Sequence, residues 1–389
     1  MLDSISARWV FQRNFMNQRE YIARRLVDPT GDQTVWGQSI MQAYEAVARL
    51  AFLPVIGLYR TSDWLVLGAR IFNKLDVELQ CRTHLAMTAR DVFRCSSWPH
   101  SFSYDLKSYA DLKYLLQHDD ESRYDICRLR VERVLQRTQA KFVVANSTID
   151  PINRLWLQAA KSAGLKTFCL QHGVYSRSLP NYVLEEDIVD RYVSLDRSQS
   201  DIVSQNIPSH KIDILGVKEN FDWKQPKRPL KVCFVGEDWE RYGFEDLKTS
   251  IISTYKDIIL SPEAKAWGTF FYKPHPSEKM LLDIMNFASP LKSKDTDLPD
   301  VYIGFSSTFL REMSSKGKLV IQILDARTQS EDFQQMGYCL SLPNDDQLSY
   351  ALGELLNSRQ QVPFIKNAEL SLILRNYEYS SSTEVAQEI

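Results

Sequence analysis

The feature that most constrains this chain is an alternation that begins near Lys141 and continues to Leu356. Short apolar runs are followed by helical periodicity, and each run ends in a small polar cluster. Phe142-Val143-Val144-Ala145-Asn146 is β-type. Behind it, Ser147-Thr148-Ile149-Asp150-Pro151 supplies an N-cap and an early proline for a helix over Arg154–Ala163, which Gly164 ends. Lys166–Leu170 predicts a strand that delivers Gln171-His172-Gly173, and strands at Tyr192–Leu195 and Ile212–Gly216 follow with a helix between them. Glu219–Pro229 is polar, contains two prolines and is expected to be a linker. The alternation then resumes with a strand at Lys231–Val235, a helix at Phe244–Leu260 and strands at Gly268–Lys273 and Val301–Gly304. A helix at Thr308–Ser315, a strand at Leu319–Leu324 and a helix at Gln347–Leu356 complete it. Strands alternating with helices predict parallel sheets joined by crossover connections.

A chain of 389 residues is too long for one ordinary core. The expected fold class is therefore α/β, with two facing Rossmann-like domains. Residues 1–225 would form the N-terminal domain, 226–375 the C-terminal domain, and 376–389 a polar tail expected to be disordered. Residues 1–135 are predicted to be a mainly helical extension, with examples at Gln38–Phe52 and Ser122–Gln136, where apolar residues recur at spacings of three and four.

Several classes of function are excluded early. A net charge of −2 gives no reason to expect a nucleic-acid partner. The six cysteines, Cys81, Cys95, Cys127, Cys169, Cys233 and Cys339, form no CxxC pair or zinc-like spacing, and are expected to be reduced thiols. Met1–Arg25 has no apolar core of a signal peptide, and the apolar stretch Val47–Leu58 contains Arg49 and Pro54. It is too short for a bilayer of roughly 30 Å. A cytoplasmic protein is expected, with peripheral attachment at the inner face of a membrane as the alternative to a buried helix. Asp295-Thr296-Asp297 lies in a polar loop and Glu185-Glu186-Asp187 is expected to be a solvated acidic face, so neither metal nor cofactor is expected. There is no P-loop, HExxH, GxSxG or complete GxGxxG.

Open parallel sheets bind ligands beyond the carboxyl ends of their strands, which is where the polar clusters fall. Lys273-Pro274-His275-Pro276 places a point charge and an imidazole in a turn stiffened by two prolines, suited to a phosphate. Ser306-Ser307-Thr308 stands where a strand meets a helix start, a place for an anion or simply for N-caps. Glu312, one turn in, suits a ribose hydroxyl or an exposed helix face. Glu237-Asp238 follows the strand Val232–Val235 and offers a general base or nucleophile, or an ordinary acidic turn. Gln171 and His172 end a strand of the first half, where His172 serves either chemistry or a core.

The order QHG, acidic pair, KPHP, SS resembles the bacterial GT-B glycosyltransferases of capsule, O-antigen and lipooligosaccharide assembly. These include polysialyltransferases, capsular Kdo transferases and retaining β-Kdo transferases, and the resemblance spans about residues 140–360. It implies a GT-B fold and a CMP-activated ulosonic acid as donor. It also implies transfer to a saccharide acceptor that is lipid-linked, by a chain associated with a membrane or a multi-module synthase. Lys273, His275, Ser306, Ser307, Thr308, Glu312 and Gln171 would bind the donor, and Asp238, Glu237 and His172 would carry the chemistry. Arg177, Lys218 and Gln171 are candidates to meet the donor's carboxylate. Trp239 stands where polysialyltransferases have glycine, which favours the β-Kdo transferases, with an aspartate nucleophile and retained configuration. A sialyltransferase and a polyol-phosphate transferase with a CDP donor remain alternatives.

Overall fold

The computed structural model describes residues 55–87, 95, 97, 99–105, 122–148, 151–171, 173, 175, 188–237, 239, 245–275, 278, 282–328 and 331–387. The expected helix at Gln38–Phe52, the acidic run Glu185-Glu186-Asp187, and Arg177, His172, Asp238 and Pro276 lie outside the described residues. Two compact units divide the chain: one runs to Leu215 and resumes at Ala368, and the other contains Gly216–Asn367.

In the first unit, β1 (Val55–Leu58), β2 (Trp64–Leu67), β3 (Thr83–Met87), β4 (Ser101–Asp105), β5 (Phe142–Ala145), β6 (Lys166–Leu170), β7 (Arg191–Asp196) and the start of β8 (Ile212–Trp223) form a sheet. Its order is β1-β4-β3-β2-β5-β6-β7-β8. The strands from β4 to β7 pair in parallel, and β1 lies antiparallel on the edge. Within the predicted helical extension, the described residues include the four strands β1–β4 as well as the helix expected from Ser122. Trp64, Leu65, Val66 and Leu67 are all buried. A strand covered on both faces loses its alternation, so periodicity alone cannot separate it from a buried helix. Later elements follow expectation: α1 is Ser122–Thr138 and α2 is Pro151–Ser162. Gly164, at φ 75°, takes the left-handed conformation that turns the chain after α2. α3 (Arg197–Val203) follows β7 and is capped by Asp196, whose carboxylate accepts from the Gln199 amide.

The second unit begins along β8. Residues Gly216–Trp223 pair antiparallel with β15 (Gln360–Asn367), and Phe221 meets Phe364 edge to face at 5.8 Å. The segment expected to be a linker from Glu219 is thus partly a strand, and the boundary falls at Gly216 rather than near 225. A two-stranded ribbon buries little, so its sequence stays polar and resembles a linker. The main sheet of this unit contains β9 (Lys231–Val235), β10 (Thr269–Lys273), β11 (Ser289–Pro290), β12 (Val301–Gly304), β13 (Leu319–Leu324) and β14 (Leu340–Pro343). All pair in parallel, in the order β11-β10-β9-β12-β13-β14. After β9 the chain lays β10 and β11 on one side, then returns to lay β12 to β14 on the other. The β9/β12 boundary is therefore a topological switch point. Helices α4 (Glu245–Leu260), α5 (Thr308–Ser315) and α6 (Leu348–Asn357) accompany this sheet. Its core gathers Val232, Phe234, Tyr255, Ile303, Ile321, Ile323, Leu352 and Leu356.

The polar tail expected at 376–389 is instead the later part of α7 (Leu370–Gln387), which belongs to the first unit. Leu370 and Leu374 are buried in that unit's core, and the Tyr377 ring meets Phe168 at 5.1 Å. The Trp64 indole donates to Glu378, and Arg82 donates to Glu378 at 3.1 Å and to Asp63 at 2.6 Å. The serine-rich end is weakly helical by propensity. Packing of the preceding turns supplies what propensity lacks. Among the described residues, no helix is long and apolar enough to cross a membrane. Replacing Leu374 by Ala should cost about 2–5 kcal/mol, the usual cost of a cavity in a core. A urea titration followed by Trp fluorescence should show this as a lowered midpoint.

Candidate functional site

The site is built from three neighbouring strand ends. β9 leaves its sheet through Gly236, whose amide donates to the Lys273 carbonyl at 2.8 Å and ties the end of β9 to the end of β10. A Cβ on Gly236 would lie 2.2 Å from Glu278 Oε2 and 2.4 Å from the Tyr272 hydroxyl, so this position has room only for glycine. The next residue, Glu237, turns its side chain across the switch point to the end of β12. Its carboxylate accepts from the Ser306 amide at 2.5 Å and from the Ser306 hydroxyl. The amides of Ser307 and Phe305 also bond to it. Burial raises the pKa of Glu237, and these hydrogen bonds oppose the rise.

This arrangement corrects part of the expectation for Ser306. Its amide and hydroxyl are both committed to Glu237, so the cradle at the start of α5 holds the protein's own carboxylate instead of awaiting a ligand phosphate. Ser307 is the N-cap of α5, its Oγ accepting from the Phe309 amide at 3.3 Å, and Thr308 is the exposed first residue of the helix. From the other side of β9, Lys273 extends so that its Nζ lies 5.7 Å from the Phe309 ring centroid, beside the first turn of α5. That ammonium also donates to the Pro274 carbonyl at 3.2 Å.

His275 is half-buried and held at both backbone groups by one residue. Its amide donates to Glu278 Oε2 at 3.0 Å, and its carbonyl accepts from the Glu278 amide at 2.9 Å. The first bond is the side-chain half of a capping box, and the second is a backbone turn bond between residues three apart. The structure thus gathers Glu237, Lys273, His275, Ser306, Ser307 and Thr308 at one edge of one sheet. Tyr272, Glu278 and Lys248 were missed in the sequence. For Glu278 the only sequence signal was its spacing, a glutamate three residues after His275 whose side chain can reach back to that backbone amide. Burial pushes the pKa of Tyr272 up, and the Glu278 charge adds to the rise, so its hydroxyl remains a donor.

Other expected residues lie elsewhere. Glu312 is exposed and pairs with Lys316 at 3.7 Å along α5. Lys218 donates to the Gln335 carbonyl at 3.4 Å. Gln171 is fully buried in the first unit. Its amide nitrogen donates to the Gly173 carbonyl at 2.8 Å and to Gln199 at 2.5 Å. Its oxygen accepts from Ser194 and from the Leu195 amide, each at 3.2 Å. All four bonding positions of the amide are filled, so Gln171 fixes the turn after β6 and has none left for a donor. Trp239 packs against the core of the second unit. Among the described residues, no group of three or more His, Cys, Asp or Glu is placed to hold a metal ion.

No protein-family model matches the chain, and no curated protein matches it in sequence. Solved structures do match. UDP-GlcNAc 2-epimerase from Methanocaldococcus jannaschii superposes with a TM-score of 0.54 at 14% identity, over 81% of this chain and 99% of that one. A putative UDP-N-acetylglucosamine 2-epimerase from Listeria monocytogenes gives 0.52 at 11% identity, over 85% of this chain and 98% of the other. At such identities the likeness is one of fold. The chain has the α/β architecture with parallel sheets of the GT-B class.

The raised pKa of Glu237 has a consequence for stability. The folded chain holds this proton more tightly than the unfolded chain, so the contribution of Glu237 falls as pH rises from the ordinary 4.5 through the raised value. The urea midpoint of the native protein, measured relative to that of Glu237→Gln, should decline across this window. A difference independent of pH would contradict the assignment.

Proposed function

We propose that the protein is a glycosyltransferase that binds a nucleotide-activated sugar at the β9/β12 switch point of its second unit. The observation that carries this reading is convergence. Three motifs separated in sequence, Gly236-Glu237, Lys273-Pro274-His275 and Ser306-Ser307-Thr308, meet at adjacent strand ends through the Gly236–Lys273 and Glu237–Ser306 bonds. The finer reading, from the family resemblance, is transfer of Kdo from CMP-β-Kdo to a saccharide acceptor of a bacterial surface glycan. Lys273 and His275 would meet the donor phosphate, with the hydroxyls of Ser307 and Thr308 beside them. Charge that develops on the phosphate as the glycosidic bond breaks is stabilised by such pre-placed donors.

With retention, Asp238 would attack the anomeric carbon as CMP departs with the bonding pair. The acceptor hydroxyl would then displace Asp238 and lose its proton to solvent. With inversion, Asp238 would take that proton directly. Glu237 lies beside this step as the anchor of the Ser306 turn. The acceptor in this reading is lipid-linked, and the enzyme works at the cytoplasmic face of a membrane.

A second reading, interconversion of UDP-sugar epimers, is favoured by the fold shared with two UDP-GlcNAc 2-epimerases. A donor panel separates the readings. CMP release from CMP-Kdo is expected, with CMP-sialic acid and a CDP-polyol testing the alternative donors. Epimer formation from UDP-GlcNAc, followed by NMR, would establish the second reading instead. His275→Ala and Lys273→Ala should each lower turnover by about 10- to 100-fold, the size of one lost hydrogen bond to a charged group. Unchanged turnover would remove that residue from the site.

A further inference from the structure

Beneath the Lys273–His275 turn lies a buried polar assembly with no direct place in that chemistry. Glu278 Oε1 accepts from the Tyr272 hydroxyl at 2.6 Å, and Oε2 accepts from the His275 amide at 3.0 Å. Lys248 of α4 places its Nζ 3.9 Å from Glu278 Oε1. The side chains of Glu278 and Lys248 are 1% and 5% exposed. Gly236 stays bare beneath them because a Cβ would strike both Glu278 and Tyr272.

A buried carboxylate and ammonium are costly to desolvate, and apolar residues of the same volume often serve stability as well. What an apolar replacement would not supply is direction. Glu278 fixes both the amide and the carbonyl of His275, and Tyr272 fixes Glu278 from the end of β10. Lys248 sets a positive charge behind that carboxylate. The assembly ties β10, α4 and the His275 turn together around the exit of β9. Bonds at both backbone groups fix the point from which His275 presents its side chain, and electrostatic stabilisation of a phosphate depends on such preorganisation.

We propose that Glu278, Tyr272 and Lys248 are positioning residues that orient His275 toward the phosphate of a nucleotide ligand, an inference that rests on the proposed nucleotide-sugar site. Their effect is on phosphate recognition and not on the nucleoside. Calorimetric titration with CMP and with cytidine tests this on the native chain and on Tyr272→Phe, Glu278→Ala and Glu278→Gln. Circular dichroism melts check that each variant is folded.

Tyr272→Phe and Glu278→Ala should weaken CMP binding by about tenfold while leaving cytidine binding unchanged. Glu278→Gln, whose amide oxygen can still accept from His275, should recover part of the loss. If Glu278→Ala does not fold, Tyr272→Phe, which removes a single oxygen, still reads the effect. CMP affinity equal to that of the native chain in the folded variants would overturn the positioning role and leave the nucleotide site standing. Equal loss for CMP and cytidine would also overturn it, as general damage. If the native chain binds neither CMP nor UDP, the nucleotide-sugar reading fails, and the positioning role fails with it.

Discussion

Glu237 bonds to Ser306 across the one place in the second unit where strand order reverses. Ligands have room to enter at a switch point because the connections on its two sides diverge there. The same divergence leaves the ends of β9 and β12 without a shared loop to hold them. Here a buried carboxylate bridges the gap. It fills the amide cradle at the start of α5, which would otherwise carry unsatisfied N–H groups. The positions of Ser307, Thr308 and the first turn of α5 all depend on that bridge.

The other wall of the site is anchored independently. Gly236 joins β9 to β10 through its amide, and Glu278 holds the His275 turn from below. Two carboxylates, from Glu237 and Glu278, thus flank one glycine, and each fixes a different arm of the site. They account for a division of labour among the polar residues. Buried acids shape the arms, and Lys273, His275, Ser307 and Thr308, the residues proposed to meet a ligand, stand at the same strand ends. A cationic group next to a shaped turn suits a phosphate ester.

The first unit follows the same rule with neutral groups. Gln171, at the end of β6, spends every bonding position of its amide on Gly173, Gln199, Ser194 and Leu195. A glutamine at a strand end therefore need not meet a ligand in order to matter to the shape of a site. The unit is completed by a helix from the far end of the chain, α7, whose Leu370 and Leu374 enter its core. Residues from opposite ends of the sequence thus share one core, and the second unit is inserted between them.

The sequence alone determined the alternation of strands and helices from Lys141 onward, because parallel strands flanked by helices leave continuous apolar runs with polar ends. Lys231–Val235, Val301–Gly304, Thr308–Ser315 and Leu319–Leu324 have the predicted bounds. The order of the polar clusters was likewise legible, since each follows its strand directly. The strands β2 and β3 were not legible, because burial on both faces erases the period that distinguishes strand from helix. Nor was α7, whose hold on the chain is its packing against Phe168 and Trp64, residues some two hundred or more positions away. Only the tertiary structure decided what each polar residue does. The neighbouring hydroxyls of Ser306 and Ser307 are chemically equivalent candidates until strand order brings Glu237 to one of them and leaves the other to cap α5. Once Ser306 is satisfied by Glu237, its place is to hold the turn between β12 and α5.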